Sequence, residues 1–128
     1  MKKPKIMIVD DNKLILEITG ELFENAGFDV IKRNNPIGTT AAISSEQPDC
    51  LLLDLNMPVL SGERLVDLIK QNNKSTVKII LHSDRSDDEL RRAAEETGAD
   101  AYVSKRMKKS LIIEKVKEVI SFQETGHE

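Results

Sequence analysis

Cys50-Leu51-Leu52-Leu53-Asp54-Leu55-Asn56-Met57-Pro58 is the stretch that decides the fold. Its apolar residues run on without alternating with polar ones. That is the pattern of a strand buried on both faces, as in a parallel sheet covered by helices. At the carboxyl end of this strand stands a carboxylate, Asp54. A buried charge is costly unless something compensates it. In open α/β sheets the carboxyl ends of the strands are also where ligands and chemistry sit. The rest of the chain is therefore read for the partners of Asp54.

Four more short apolar runs, at 6–9, 28–31, 77–81 and 101–103, read as strands, and helical patterns separate all five. Asn12 reads as the N-cap of a first helix reaching about Ala26, with Leu14, Ile15, Ile18, Leu22, Phe23 and Ala26 on its apolar face and Gly27 as its stop. Asn35-Pro36 reads as a cap followed by proline at the first helical position of a weak second helix ending near Glu46. Ser61 caps a third helix over 62–71, with Leu65, Val66 and Ile69 facing in. Ser86 and Glu89 have capping-box spacing for a fourth, which ends near Thr97 and Gly98. Ser110 caps a fifth, whose stripe is Ile112, Ile113, Val116, Val119 and Ile120. The polar tail over 123–128 is expected to fray. Five β-α units imply a doubly wound parallel sheet with right-handed crossovers, and the strand order 2-1-3-4-5 suits units of this size.

Composition excludes several classes. With 128 residues the chain is one domain, and 39% apolar and 32% charged residues suit a soluble globular protein. A net charge of −3 gives no broad attraction to nucleic acid or to an anionic membrane. No apolar run approaches the roughly 20 residues that a membrane helix needs. One cysteine, Cys50, excludes an internal disulfide and reads as a core thiol. A cytoplasmic location is the expectation.

In the order 2-1-3-4-5, strands 1 and 3 are neighbours, so Asp10 and Asp11 converge with Asp54 at one sheet edge. At about 5 Å and an effective dielectric near 20, each like-charged pair costs roughly 3 kcal/mol. Either a carboxyl is protonated or a cation sits among them. Few, all-oxygen ligands suit Mg²⁺, which keeps several waters and pairs with phosphate oxygens. Asp54 could then serve as a nucleophile and form an aspartyl phosphate. Ser83 after strand 4 offers a hydroxyl, and Lys105 after strand 5 offers an ammonium. Taken singly, Asp10-Asp11 is a strand-to-helix turn, Ser83 a turn hydroxyl, Lys105 a solvated loop residue and Tyr102 a half-buried strand aromatic. Their placement at the same ends of successive strands is what carries the reading. His82, a lone histidine at a strand end, reads as packed rather than catalytic.

From about Lys5 to Phe122 the sequence resembles the receiver domain of bacterial two-component response regulators, in the flavodoxin-like (βα)5 fold of single-domain chemotaxis regulators. The motifs are Asp10-Asp11, Asp54-Leu55-Asn56-Met57-Pro58 followed by Gly62, Ser83, and Gly98-Ala99-Asp100-Ala101-Tyr102-Val103-Ser104-Lys105. The resemblance implies a receiver domain over 1–122. It implies that Asp54 takes a phosphoryl group from a histidine kinase or a histidine phosphotransfer protein. Asp10, Asp11, Asp54 and the Asn56 backbone carbonyl would hold Mg²⁺. Ser83 would bond the phosphoryl oxygen and shift inward, Tyr102 would follow as the switch, and Lys105 would pair with the phosphoryl group. A downstream protein partner would read the helix 4–strand 5–helix 5 face, with the receiver a monomer or a phosphorylation-dependent dimer. It would be a switch rather than an enzyme, beyond self-phosphorylation from small donors and self-dephosphorylation.

Two positions depart from the family pattern. Arg106 stands where proline usually follows the lysine, and a trans peptide is expected there because a cis bond before a non-proline residue costs about 2.5–4 kcal/mol. Asp84 stands where a small residue usually follows the Ser/Thr, and its bulk and charge are expected over the pocket mouth, slowing small phosphodonors or the hydrolytic water. The basic run Arg106, Lys108 and Lys109 is expected to offset Asp84 or to meet an acidic partner. Other readings are a phosphorelay intermediate or phosphate sink, an Mg²⁺-dependent aspartyl-phosphate phosphatase, and a flavin binder. The haloacid-dehalogenase-like pattern, however, wants Asp-x-Asp after strand 1, and two positions beyond Asp54 stands Asn56, which cannot act as an acid. A flavin phosphate would be repelled by Asp10-Asp11.

Overall fold

The computed structural model describes residues 3–72 and 76–125, with side chains through 121. Five strands alternate with five helices: β1 (Lys5–Val9), α1 (Lys13–Asn25), β2 (Asp29–Arg33), α2 (Thr39–Glu46), β3 (Cys50–Leu53), α3 (Gly62–Gln71), β4 (Lys78–Ser83), α4 (Asp87–Thr97), β5 (Ala101–Ser104) and α5 (Lys109–Thr125). All neighbouring strands are parallel, in the order β2-β1-β3-β4-β5 that the sequence implied.

The sheet separates two cores. One face packs Met7, Val9, Leu51, Leu53 and Leu81 against Leu65, Val66 and Ile69 of α3 and Leu90 of α4. The other packs Ile6, Ile8, Leu52, Ile80 and Val103 against Leu16 and Phe23 of α1 and Ile112, Ile113 and Val116 of α5. Alternate residues of β3 thus face opposite cores, and every residue of the strand is buried. That two-sided burial is what the unbroken apolar run encoded. Cys50 lies fully buried in the second core, and burial pushes its thiol pKa up, so it is an inert core residue.

Caps follow the expected chemistry at three helices. Asn12 Oδ1 accepts from the Ile15 amide, Ser61 Oγ accepts from the Arg64 amide, and Ser86 and Glu89 form the reciprocal capping box of α4. The other two helices start elsewhere. Asn35 makes a local turn to the Ile37 amide, and Gly38, in the left-handed region at φ 87°, precedes α2, which starts at Thr39. Pro36 therefore lies outside the helix, and its carbonyl accepts from the Thr39 hydroxyl. Ser110 is already inside α5, whose first turn closes on the Lys108 carbonyl. At its other end α5 continues to Thr125, three residues into the segment read as a tail, and 126–128 lie outside the described residues.

The apolar face read for α1 holds in part: Phe23 is buried and Leu22 and Ala26 pack against the second core, but Leu14 is 70% exposed and Ile18 43%, and Leu16, Thr19 and Gly20 are buried instead. The helix carries two overlapping apolar stripes, and the small Gly20 settles which one faces in. A Cβ there would lie 2.8 Å from Lys32 Cδ on β2, so α1 lies against the sheet edge along the glycine side.

Candidate functional site

The parallel register brings the carboxyl ends of β1, β3, β4 and β5 together. Asp10 follows β1 and Asp54 follows β3, and each takes a backbone bond from its own amide to a neighbouring strand, Asp10 to the Arg33 carbonyl and Asp54 to the Val9 carbonyl. Both are nearly buried, at 1% and 4% exposure, while Asp11 beside them is exposed. One carboxylate oxygen from each of Asp10, Asp11 and Asp54 lies within 4.8 Å of the others.

Lys105, one residue beyond β5, reaches across this cluster. Its Nζ is 2.9 Å from Asp10 Oδ2 and 3.4 Å from Asp54 Oδ1. Asp10 Oδ2 has no hydrogen-bond partner of good angle among the described residues, so the ammonium is held there as an ion pair. Burial is the largest influence on Lys105 and works to lower its pKa, but the close contact with Asp10 and the charges of Asp10 and Asp54 outweigh it, and the net pKa is raised. Burial pushes the Asp54 pKa up, Lys105 pulls it down, Asp10 pushes it up again, and the net pKa is raised. Two of the three clustered carboxylates, Asp10 and Asp54, thus share one ammonium. A buried oxygen without a well-angled donor, in an all-oxygen cluster left net negative, fits a small hard cation.

Ser83 closes the pocket from β4 and is fully buried. Its Oγ accepts from the Arg85 amide at 3.1 Å and lies 3.5 Å from Asn56 Nδ2. His82, beside it, is buried too. Burial lowers its pKa to about 4, Lys105 adding to that effect and Asp10 opposing it, so the ring is neutral at pH 7. Tyr102 is half-buried against the α3–α4 core and lines a shallow cavity of about 490 Å³ with Arg91, Asp100 and Lys115. Asp10, Asp11, Asp54, Ser83 and Lys105 therefore gather at one place, and Tyr102 lies on the face beyond.

The two departures stand in the loops that follow β4 and β5. Asp84 is exposed. The Arg106 guanidinium donates to the backbone carbonyls of Asp84 and Arg85 rather than to the Asp84 carboxylate. No peptide bond among the described residues is cis, so the Lys105–Arg106 bond is trans as expected. Arg85 was not singled out from sequence, yet it spans the mouth. Its Nε and Nη2 donate to Asn56 Oδ1 at 3.0 and 2.9 Å, and its Nη1 donates to Glu63 Oε2 at 2.6 Å. Its position two residues after Ser83 is the signal that could have found it.

Gly62 fixes the floor. A Cβ at this position would meet the Asp54 carbonyl oxygen at 2.6 Å and Leu55 Cα at 2.7 Å, both backbone atoms. Gly62→Ala is expected to lower stability by about 2 kcal/mol through overpacking, although alanine gains up to ~1 kcal/mol in helix propensity. Thermal denaturation checks this, and a melting temperature equal to or above wild type would show that the loop yields.

The doubly wound sheet and its acidic edge define a class of α/β domains, and similarity to known proteins narrows it. Residues 6–117 match the model of the response regulator receiver domain, and the chain belongs to that family. It is 32% identical to protein PilG of Pseudomonas aeruginosa over 88% of this chain and 84% of PilG. It is 26% identical to the polar-differentiation response regulator DivK of Brucella anthropi, over 88% of this chain and 92% of DivK. The chain also matches a cyclic di-GMP phosphodiesterase of Thermotoga maritima at 32% identity, but spans only 28% of that protein. Among solved structures, a CheY-like receiver domain protein of Methanospirillum hungatei superposes with a TM-score of 0.86 at 27% identity, covering 98% of this chain and 99% of that one. CheY4 of Vibrio cholerae shares the fold, with a TM-score of 0.84 at 19% identity over 92% of this chain and 99% of that one. The protein is thus a receiver domain of two-component signalling, and no helix among the described residues is long and apolar enough to cross a membrane.

Proposed function

We propose that this receiver, read as residues 1–122, accepts a phosphoryl group on Asp54 from a histidine kinase or a histidine phosphotransfer protein. The observation that carries the reading is Lys105 Nζ set between Asp10 and Asp54, with Asp11 beside them. In the transfer an Asp54 carboxylate oxygen attacks phosphorus, an O–P bond forms, the P–N bond of the donor phosphohistidine breaks, and the leaving imidazole nitrogen takes a proton. Asp10, Asp11, Asp54 and the Asn56 backbone carbonyl would hold Mg²⁺, which when bound neutralises phosphoryl charge beside an anionic nucleophile. Lys105 turns from the carboxylates toward the added charge, and Ser83 donates its hydroxyl proton to a phosphoryl oxygen. Ser83 moving inward alters the space next to Tyr102, and the α4–β5–α5 face changes affinity for a downstream protein.

The role is that of a cytoplasmic switch, with phosphorelay intermediate or phosphate sink as variants set by the lifetime of the aspartyl phosphate. The chain matches DivK and PilG over most of their length and about half of the length of several transcriptional regulators.

The test is intact mass after incubation with acetyl phosphate or phosphoramidate, with and without Mg²⁺, followed by peptide mapping. The expected result is one phosphoryl group, dependent on Mg²⁺ and located on Asp54. No gain from these donors or from a histidine kinase would leave a receiver-fold binding module without phosphoryl chemistry.

A further inference from the structure

Arg85 and Arg106 tie three loops together at the mouth of the pocket. Arg85 lies in the β4–α4 loop. Its guanidinium holds Asn56 of the β3–α3 loop and Glu63 in the first turn of α3. Arg106 lies in the β5–α5 loop, and its guanidinium holds the carbonyls of Asp84 and Arg85. The β4–α4 loop is therefore gripped from both sides, by its own arginine outward and by a neighbouring arginine inward. The Arg85–Glu63 pair is partly shielded, with side chains 26% and 37% exposed. A short, shielded Arg–carboxylate bond is stronger than an open surface pair.

This grip bears on Ser83. The Ser83 Oγ accepts from the amide of Arg85 itself, and Asn56, the residue Arg85 holds, turns its Nδ2 toward the same hydroxyl. Any movement of Ser83 toward Asp54 must break the bond to the Arg85 amide or drag the loop with it, and the loop is anchored at Glu63, Asn56 and Arg106. We propose that Arg85, Arg106 and Glu63 form a strap that holds Ser83 in its resting position and opposes the phosphorylated conformer. They are positioning residues, acting through Ser83 and the loop. In this account Arg106 does with two hydrogen bonds what a rigid loop residue would do by stiffness. The inference rests on the proposed phosphoacceptor role of Asp54.

The test uses Glu63→Ala, Arg106→Ala and their double variant. Arg85 is kept in all three, so its charge at the mouth is unchanged, and Arg106→Ala touches no helix N-terminus. Two quantities are read. The first is hydrogen exchange at the Arg85 amide without any phosphodonor, with the β1 amides as an internal control. The second is the Kd for beryllofluoride with Mg²⁺, a phosphoryl mimic, by calorimetry. Each single variant is expected to speed exchange at Arg85 and tighten beryllofluoride binding by about threefold to fivefold, the upper scale of a partly exposed ion pair, with β1 unchanged. The double variant should gain less than the product of the two, because both act on one loop. Binding within twofold of wild type in both single variants overturns the proposal, whether or not exchange is faster. A wild type that neither takes up a phosphoryl group nor binds beryllofluoride would fail the phosphoacceptor reading instead. Unchanged exchange at Arg85 would then still sink the strap, and faster exchange would keep it.

Discussion

Asp54→Asn is expected to take up no phosphoryl group from any donor and, at pH 7, to unfold at a higher temperature than the wild type. The first half follows from losing the nucleophilic carboxylate. The second follows from the electrostatics of the site. Burial disfavours the charged form of Asp54, Lys105 offsets part of that, Asp10 adds to it, and the folded-state pKa stands above the ordinary 3.8. An acid whose pKa is raised by folding binds more protons in the native state than in the unfolded one. Its stabilising contribution is present at low pH and is lost as pH rises from the unfolded pKa through the folded one. At pH 7 the ionised side chain is therefore a net burden, which the neutral asparagine removes. The bond from the Asn56 amide to Oδ1 survives, since asparagine keeps that oxygen. A gain of roughly 3–5 °C is expected, because about 1 kcal/mol moves the melting temperature by several degrees in a domain of this size. The gap between variant and wild type should close as pH falls toward 4. A variant less stable than wild type at pH 7 would mean that the attraction to Lys105 outweighs burial and repulsion together.

How much of this was legible in the sequence depends on how local the signal was. Cys50–Leu53 announced two-sided burial by itself, because a strand facing two cores has no polar side to show. The caps at Asn12, Ser61 and Ser86 were legible because a side-chain oxygen and an amide three residues on make a self-contained pattern. Once the strand order followed, Asp10, Asp54, Ser83 and Lys105 could be brought together without coordinates. What failed depended on competition. Asn35 had a turn to make with Ile37, and that local bond won over capping α2. In α1 the apolar residues allowed two faces, and only contact with Lys32 on β2 distinguished them. Arg85 was missed for a related reason. Its partners Asn56 and Glu63 are 29 and 22 residues away, and only its place two residues after Ser83 marks it locally.

Lys105→Met tests the same cluster from the cationic side, and its expected cost is the largest of any single change at the site. Methionine keeps most of the apolar stem, so packing along it survives. What goes is the only ammonium within 4 Å of Asp10 and Asp54 among the described residues, and these carboxylates are 2% and 5% exposed at the side chain. Removing one partner of a buried ion pair costs about 3–5 kcal/mol, because it strands the other charge. Lys105 itself is 17% exposed, which argues for the lower end, about 3 kcal/mol at pH 7. The sign with pH is definite. The folded-state pKa of Lys105 stands above 10.5, so its contribution is fully present at neutral pH and is lost only as pH rises through that raised value. As pH falls the penalty in the variant should shrink, since protonating Asp54, whose pKa is raised, removes a charge left unpaired. Mg²⁺ should reverse part of the loss, and should raise the melting temperature of Lys105→Met more than that of wild type, because in the variant it supplies the missing positive charge. Melting curves at pH 4 and pH 7, with and without millimolar Mg²⁺, decide the matter. A loss equal at both pH values and unmoved by Mg²⁺ would assign Lys105 a packing role and leave the acidic cluster without a cation to hold. A loss that Mg²⁺ repairs would mean that the lysine and the metal answer the same electrostatic need, which is what lets Lys105 leave the carboxylates for an incoming phosphoryl group.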